Sequence, residues 1–161
     1  MYIFETLKNH FMRVVIQRVS RASVTIEGKI RDEIGPGLLV LAGVEEADTL
    51  SDAEWLSNKV VQLRIFDDDA GVMNHSLIDT GGSIMVISQF TLHAKTKKGN
   101  RPSYIRAARH ETAIPVYNYF IERLSELTGR RTAHGEFGAM MDISLVNNGP
   151  VTIIIDSKDK E

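Results

Sequence analysis

Alternating apolar and polar residues in the first half of the chain predict β-strands. Ala22, Val24 and Ile26 alternate with polar residues, which is the period of a strand with one buried face. Residues 27–29 form a plausible tight turn into a partner strand. The run 38–44 is continuously apolar, and this pattern predicts a strand that is covered on both faces.

Two later segments have the period of amphipathic helices. In the first, Ser51 and Glu54 have the spacing of a capping box, with Asp48 and Thr49 as alternative starting points. Its apolar face consists of Ala53, Leu56, Val60 and Leu63. In the second, apolar residues repeat at helical spacing over residues 113–127. Gly129 is placed to end this second helix.

Three further strands complete the expected fold. They are predicted over residues 83–92, 141–145 and 151–155. Gly149-Pro150, between the last two, is a turn signal. Because strands outnumber helices, the sequence predicts an α+β fold with a mainly antiparallel sheet and two principal helices. A single domain is expected from residue 12 to 161, after an N-terminal extension of residues 1–11.

Composition excludes several classes of chemistry. The chain has 161 residues and no cysteine, which rules out disulfides, thiolate catalysis and cysteine-based metal sites. No apolar run approaches the ~20 residues of a membrane span. The sequence has no serine-hydrolase elbow, Walker loop or dinucleotide-binding glycine motif. None of its five histidines forms a His-x-x-x-His pair, so no metal site is expected. We interpret the acidic run at residues 67–69 as a solvated turn.

Positive charge is concentrated in one segment of a chain whose formal net charge is −2. No acidic residue lies between Thr80 and His110. The basic segment contains Lys95, Lys97, Lys98, Arg101, Arg106 and Arg109. Such a segment is often a solvated flexible loop, but it is also what recognition of a phosphate backbone at one place requires.

Two polar segments interrupt otherwise apolar strands. Residues 88–92 carry Ser, Gln and Thr, whose polar atoms need partners if the strand is buried. This segment either reaches a polar cleft or simply emerges into solvent. His93, which follows it, is expected to be a surface or hydrogen-bonded residue rather than a base. The Gly149-Pro150 segment could hold carbonyl oxygens in a fixed direction through a cis bond.

These two segments resemble the signature motifs of the D-aminoacyl-tRNA deacylase family, Ser-Gln-Phe-Thr and Asn-x-Gly-Pro-Val-Thr. The first motif corresponds to Ser88, Gln89, Phe90 and Thr91, and the second to residues 147–152. Four other segments also resemble sequences of this family, namely residues 12–19, 35–40, 100–103 and 135–140. The resemblance covers residues 12 to about 155, in order and at family-like spacing.

The resemblance implies a cytoplasmic homodimer with a barrel-like α+β core and an active site at the subunit boundary. The pocket would be lined by Ser88, Gln89, Phe90 and Thr91, and it would receive the 3′-terminal adenosine of tRNA with its aminoacyl group. Gly149 and Pro150 would enter from the other subunit as a Gly-cis-Pro element, held by Arg18. No metal or organic cofactor, no membrane and no DNA are expected. Phe90 favours the D-specific branch over relatives that carry Met at that place.

The implied reaction is hydrolysis of the ester in D-aminoacyl-tRNA. An aminoacyl ester is already activated, so a placed water and support for the oxyanion matter more than a strong nucleophile. The amides near Phe90 and Thr91 could give that support, with help from the ribose 2′-hydroxyl. Thr91 as nucleophile is the competing hypothesis, disfavoured because no activating base is evident.

Chirality would be selected by rejection, because an L side chain meets the protein wall while a D side chain points to solvent. Glycine has no side chain to reject, so cleavage of glycyl-tRNA is also expected. The basic segment would contact acceptor-stem phosphates. Two other functions remain open: a nucleic-acid-binding scaffold without catalysis, and a proofreading deacylase with a relaxed chiral pocket.

Overall fold

The computed structural model describes residues 12–161, so the predicted extension, residues 1–11, lies outside the described residues. The strands are β1 Arg13–Ile26, β2 Lys29–Ile34, β3 Gly37–Gly43, β4 Phe66–Asp67, β5 Met73–His75, β6 Ser83–Ser88, β7 Ala133–His134 and β8 Asp142–Asp156. The helices are α1 Leu50–Gln62, α2 Leu77–Thr80 and α3 His110–Thr128, with a 3₁₀ helix over Phe90–His93.

Six strands form the principal sheet, in the order β2-β1-β3-β6-β7, with β8 paired to β1. β1 is antiparallel to β2, β3 and β8, whereas β3–β6 and β6–β7 are parallel. β2 also contacts β7, which brings the two ends of the path together into a nearly closed, barrel-like sheet. The predicted α+β class and mainly antiparallel sheet are confirmed.

The core divides into two clusters because the central strands are covered on both faces. Val40 belongs to the cluster between the sheet and the helices, and its neighbour Leu39 belongs to the cluster inside the sheet. The helices contribute the fully buried Leu56, Val60 and Phe120. β3 is thus the doubly covered strand that its continuous apolar run predicts.

The ends of the helices agree only partly with the sequence signals. α1 is capped by Thr49, one of the two predicted alternative starting points, together with Asp52, and not by Ser51 and Glu54. Thr49 and Asp52 have the same three-residue spacing, and Glu54 instead contacts α3, where Arg123 donates to it over 2.6 Å. Gly129 ends α3 in the left-handed conformation, with φ 69°, as expected. The single-turn helix α2 was not predicted.

Two strand predictions were wrong in ways that shape the site. The strand predicted over residues 83–92 ends at Ser88, where the polar run turns into the 3₁₀ helix. No turn reverses the chain at Gly149-Pro150, because β8 continues through this dipeptide along β1. The pairing register shifts opposite residues 17–21, so the extra residues are accommodated as an irregularity within one long strand.

None of the helices in the part of the chain that the structure describes is long and apolar enough to cross a membrane.

Candidate active site

The first motif forms a turn at the end of a buried parallel strand. The amide of Gln89 donates to the carbonyl of Ala42 over 2.8 Å, and the chain then enters the 3₁₀ helix. Phe90 and Thr91 are the first two residues of that helix. Because the first amides of a helical turn have no acceptor within it, those of Phe90 and Thr91 can bind an external oxygen.

Inside this turn, the polar side chains are bonded to each other. The Gln89 side-chain amide donates to the hydroxyl oxygen of Thr91. His93, the nearest imidazole in sequence, is buried and directs Nδ1 to Glu45 over 3.1 Å. It is therefore the hydrogen-bonded histidine that the sequence favoured. Neither contact gives Thr91 a base that could remove its proton.

Phe90 stands at the surface beside the basic segment. Its side chain is 55% exposed, and its ring meets that of Tyr104 edge-on, with 5.0 Å between the centroids. Tyr104 lies in the basic segment, which Lys95 and Ser103 close by two backbone hydrogen bonds of 2.8 and 3.0 Å. Tyr104 was not predicted from the sequence, although an aromatic residue within a run of cations is a signal of nucleic-acid binding.

All six cations of the basic segment are exposed, in line with either a solvated loop or a phosphate-binding surface. The segment is fixed at its far end, where the Arg109 amide donates to Glu46 over 2.6 Å and Thr112 donates over 3.0 Å. The Arg109 amide, together with Thr112, lowers the pKa of the Glu46 carboxyl below its ordinary value. This anchor places the start of α3 beside the end of β3.

The second motif presents a cis peptide bond between Gly149 and Pro150 on the exposed strand β8. The nearly buried Arg18 donates to the carbonyl of Asn148 over 3.0 Å and to that of Ile65 over 2.8 Å. A Cβ on Gly149 would lie 3.0 Å from an Arg18 guanidinium nitrogen. Arg18 therefore bonds to the residue just before the dipeptide, and its role in holding Gly149-Pro150 stays a prediction.

Asn147 closes the same segment from within the strand. Its side-chain oxygen accepts from the Val151 amide over 3.3 Å, and its side-chain nitrogen donates to the Thr152 hydroxyl over 3.3 Å. Together, Arg18 and Asn147 engage the backbone on both sides of Gly149-Pro150. The dipeptide is thus fixed relative to β1.

Within one chain, the two motifs do not meet. Arg18, beside the Gly-Pro dipeptide, pairs with Leu38, whereas Ser88 pairs with Ala42 on the same strand. Four residues along a strand correspond to about 13 Å, and β1 and β3 also lie between β8 and β6. A cavity of about 330 Å³ near Tyr117 and Phe137 is lined by neither motif.

No group of three or more potential metal-binding side chains occurs among residues 12–161. In the acidic run, Asp68 accepts hydrogen bonds from the amides of Ala70 and Val72 and from the side chain of Asn74. This carboxylate therefore closes a turn, which is the structure expected from the sequence.

Comparison with known proteins gives consistent matches across the described chain. The sequence model of a family described as D-Tyr-tRNA(Tyr) deacylase matches residues 15–156. The D-aminoacyl-tRNA deacylase of Phocaeicola vulgatus is 63% identical over 150 residues, covering 93% of this chain and 100% of the relative. That of Flavobacterium johnsoniae is 55% identical over 150 residues, covering 93% of this chain and 100% of the relative.

Two solved structures share the fold. A protein described as c-Myc DNA Unwinding Element Binding Protein has a TM-score of 0.84 at 39% identity, covering 89% of this chain and 97% of that chain. A probable eukaryotic D-amino acid tRNA deacylase has a TM-score of 0.79 at 16% identity, covering 91% of this chain and 99% of that chain. This last likeness concerns the fold alone.

The fold, the two motif segments and these relatives define the chain as an enzyme of the hydrolase class. It belongs to the D-Tyr-tRNA(Tyr) deacylase family, which confirms the resemblance drawn from its motifs.

Proposed function

We propose that this protein hydrolyses the ester bond of D-aminoacyl-tRNA and releases free D-amino acid and tRNA. The observation that carries the proposal is the Ser88–Thr91 turn, which lies within the family match and whose amides can bind an oxyanion. Water attacks the ester carbonyl carbon, and the amides of Phe90 and Thr91 stabilise the negative oxygen. The ester C–O bond then breaks, and the ribose oxygen takes a proton.

The 2′-hydroxyl of the terminal ribose assists this reaction in our proposal. The Thr91 hydroxyl already accepts from Gln89, and the ring of His93 faces Glu45. A side-chain nucleophile would need a base to activate it, whereas the substrate brings its own hydroxyl next to the ester. Thr91 as nucleophile remains the alternative.

The active site, in this proposal, lies between two copies of the chain. Within the described residues, β8 pairs only with β1, so the other edge of this 15-residue strand is unpaired. Val146 and Ile154 are 41% and 65% exposed on this strand. A long, apolar free edge is unusual in a monomer, so we propose that a second copy covers it and brings Gly149-Pro150 to the Ser88–Thr91 turn.

Chirality is then tested by rigid main-chain oxygens. Carbonyls of Gly149-Pro150 bind the substrate ammonium group, and the bracing by Arg18 and Asn147 supports their rigidity. An L side chain would point into the protein, whereas a D side chain would point to solvent. Because glycine has no side chain that could clash with the protein, we also propose cleavage of glycyl-tRNA, including glycine mischarged on tRNA-Ala.

The basic segment provides the RNA contact in this proposal. Its exposed cations lie beside the Phe90–Tyr104 ring pair, so charge and stacking surfaces adjoin the catalytic turn. Phosphate contacts of this kind position the acceptor stem largely without regard to sequence. Because the proposed substrate is aminoacyl-tRNA, we expect the protein to act in the cytoplasm.

One assay tests the proposal against its rivals. Purified protein is mixed with D-tyrosyl-tRNA or L-tyrosyl-tRNA, and loss of the ester is followed. Release of only the D amino acid is expected, while release of the L form indicates a relaxed proofreading deacylase. Absence of release with retained RNA binding indicates a binding protein without catalysis. Sedimentation of the same sample checks for the dimer.

A further inference from the structure

We propose that a buried pair, His93 and Glu45, positions the turn that carries Gln89, Phe90 and Thr91. The proposal rests on the function proposed above. Both side chains are almost completely excluded from solvent, with 1% and 2% of their surfaces exposed, and Nδ1 of His93 lies 3.1 Å from Oε1 of Glu45. In this geometry, the pair joins the last residue of the 3₁₀ helix to the segment just after β3.

Glu45 is itself fixed, so it can act as an anchor. Its amide donates to the Asp48 carboxylate over 2.6 Å, and Lys158 lies 2.9 Å from that carboxylate. Glu45 also forms an isolated backbone bridge with Ala107, at the return of the basic segment. One residue therefore links β3, the catalytic turn and the basic segment.

Gly43 allows His93 to reach this anchor. A Cβ at Gly43 would lie 2.9 Å from the carbonyl oxygen of Gln89 and 3.0 Å from Cδ2 and Nε2 of His93. The imidazole of His93 and the Gln89 carbonyl thus both occupy the space that a side chain at position 43 would fill. Because His93 lies only two residues after Thr91, movement of its ring would be transmitted directly to the Phe90 and Thr91 amides.

The buried pair has no other visible task in the proposed reaction. Nε2 of His93 is buried and has no hydrogen-bond partner among the described residues, so the ring cannot pass a proton to substrate or solvent as it stands. A buried polar group without a partner is costly, which makes Nδ1–Glu45 the contact that holds the ring. His93 is therefore a positioning residue, not a catalytic residue.

The test compares three variants with the wild-type protein. H93L is apolar and of similar size, so it removes the contact with Glu45. H93N places an amide nitrogen where Nδ1 stood and is expected to restore the contact. V60A, in the fully buried core of α1, serves as a control that loses stability at a distance from the turn. The assays measure kcat and KM for D-tyrosyl-tRNA, together with the ¹⁵N–¹H shifts of residues 89–91.

We expect H93L to lower kcat on the order of 10- to 100-fold with KM nearly unchanged, because small displacements of reacting groups have effects of this size. The shifts of residues 89–91 should change in H93L, and H93N should recover most of kcat. V60A should lower the melting temperature while kcat is retained. If H93L does not fold, E45L, which also removes the contact, provides the same comparison, with a loss of kcat expected.

The inference is overturned if H93L loses stability but keeps kcat, if only KM rises, or if V60A loses kcat to the same extent. A wild-type protein that releases no D-tyrosine would instead refute the proposed function. In that case, unchanged amide shifts in H93L would overturn the positioning role independently.

Discussion

The substitution R18A should remove the main support of the Gly149-Pro150 segment. Arg18 donates to two carbonyl oxygens, of Asn148 and Ile65, and it lies 3.3 Å from the Asp67 carboxylate. Hydrogen bonds from a charged donor contribute about 1.5–3 kcal/mol each. The half-exposed Asp67 adds at most about 1 kcal/mol. We therefore expect R18A to lower the free energy of unfolding by about 3–7 kcal/mol.

A second arginine offers a matched control. Arg64 also makes two hydrogen bonds, to the backbone and side-chain oxygens of Asn74, at 2.9 and 2.8 Å, but these bonds are exposed. Because water replaces exposed partners, R64A should cost less than about 1 kcal/mol. Urea unfolding at one fixed protein concentration measures both variants, since the proposed dimer would make stability depend on protein concentration.

The selectivity for D over L substrates distinguishes a local role of Arg18 at the dipeptide from its effect on overall stability. R18K keeps the charge but not the planar fork that reaches two carbonyls, so it should lose part of the stability and narrow the D-over-L discrimination. D- and L-tyrosyl-tRNA release is measured for R18K, R18A and R64A below their unfolding transitions. The reasoning would be refuted if R18A lost no more unfolding free energy than R64A and kept its full preference for D- over L-tyrosyl-tRNA.

Three further outcomes are expected. T91A should release D-tyrosine at a rate within about tenfold of the wild-type rate, whereas the wild-type protein should cleave a substrate ending in 2′-deoxyadenosine on the order of 100-fold more slowly. Single-turnover kinetics measure both rates. A larger loss for T91A than for the deoxy substrate would favour Thr91 as nucleophile. K97Q and K98Q should raise KM to a similar extent for all D-aminoacyl-tRNAs. Each should also reduce the slope of the logarithm of the binding constant against the logarithm of the salt concentration by about one. The control K29Q, on β2, should change neither quantity. Burial alone raises the pKa of Asp52, but Thr49, Ser157 and Lys158 together hold it below its ordinary value. The stabilisation by the ionised Asp52 is therefore present above pH ~4 and lost as pH falls through the lowered pKa. D52N should lower the free energy of unfolding by about 1–2 kcal/mol at pH 7, and by progressively less when unfolding is measured at decreasing pH.

Local sequence patterns predicted much of the fold where the local preference and the tertiary structure agree. The apolar run of β3 predicted a strand covered on both faces, and the side chains of Leu39 and Val40 do enter different cores. Gly129 marked the end of α3 because the left-handed residue after a helix favours glycine. In both cases, a few neighbouring residues contain all the information that the element needs.

The failures occurred where distant partners decided the structure. Gly149-Pro150 has the local signal of a turn, but the long strand β1 pairs with residues on both sides of it and keeps the chain straight. Ser51 and Glu54 have capping spacing, yet Glu54 bonds to Arg123 and Tyr119 of α3. Sequence spacing cannot show which of two eligible residues a distant helix will engage.

The sheet topology also explains why sequence alone could not predict the distance between the two motifs. β3 and β6 are parallel, so their carboxyl ends lie at one edge of the sheet, where Glu45 meets His93 and Glu46 holds the start of α3. β8 is antiparallel to β1 and presents Gly149-Pro150 about four residues away along the strands. Because pairing on β1 fixes that dipeptide, it stays apart from the Ser88–Thr91 turn of its own chain. The proposed site, which uses both motifs, therefore needs a second protomer, and the free edge of β8 is the surface on which we expect that protomer to dock.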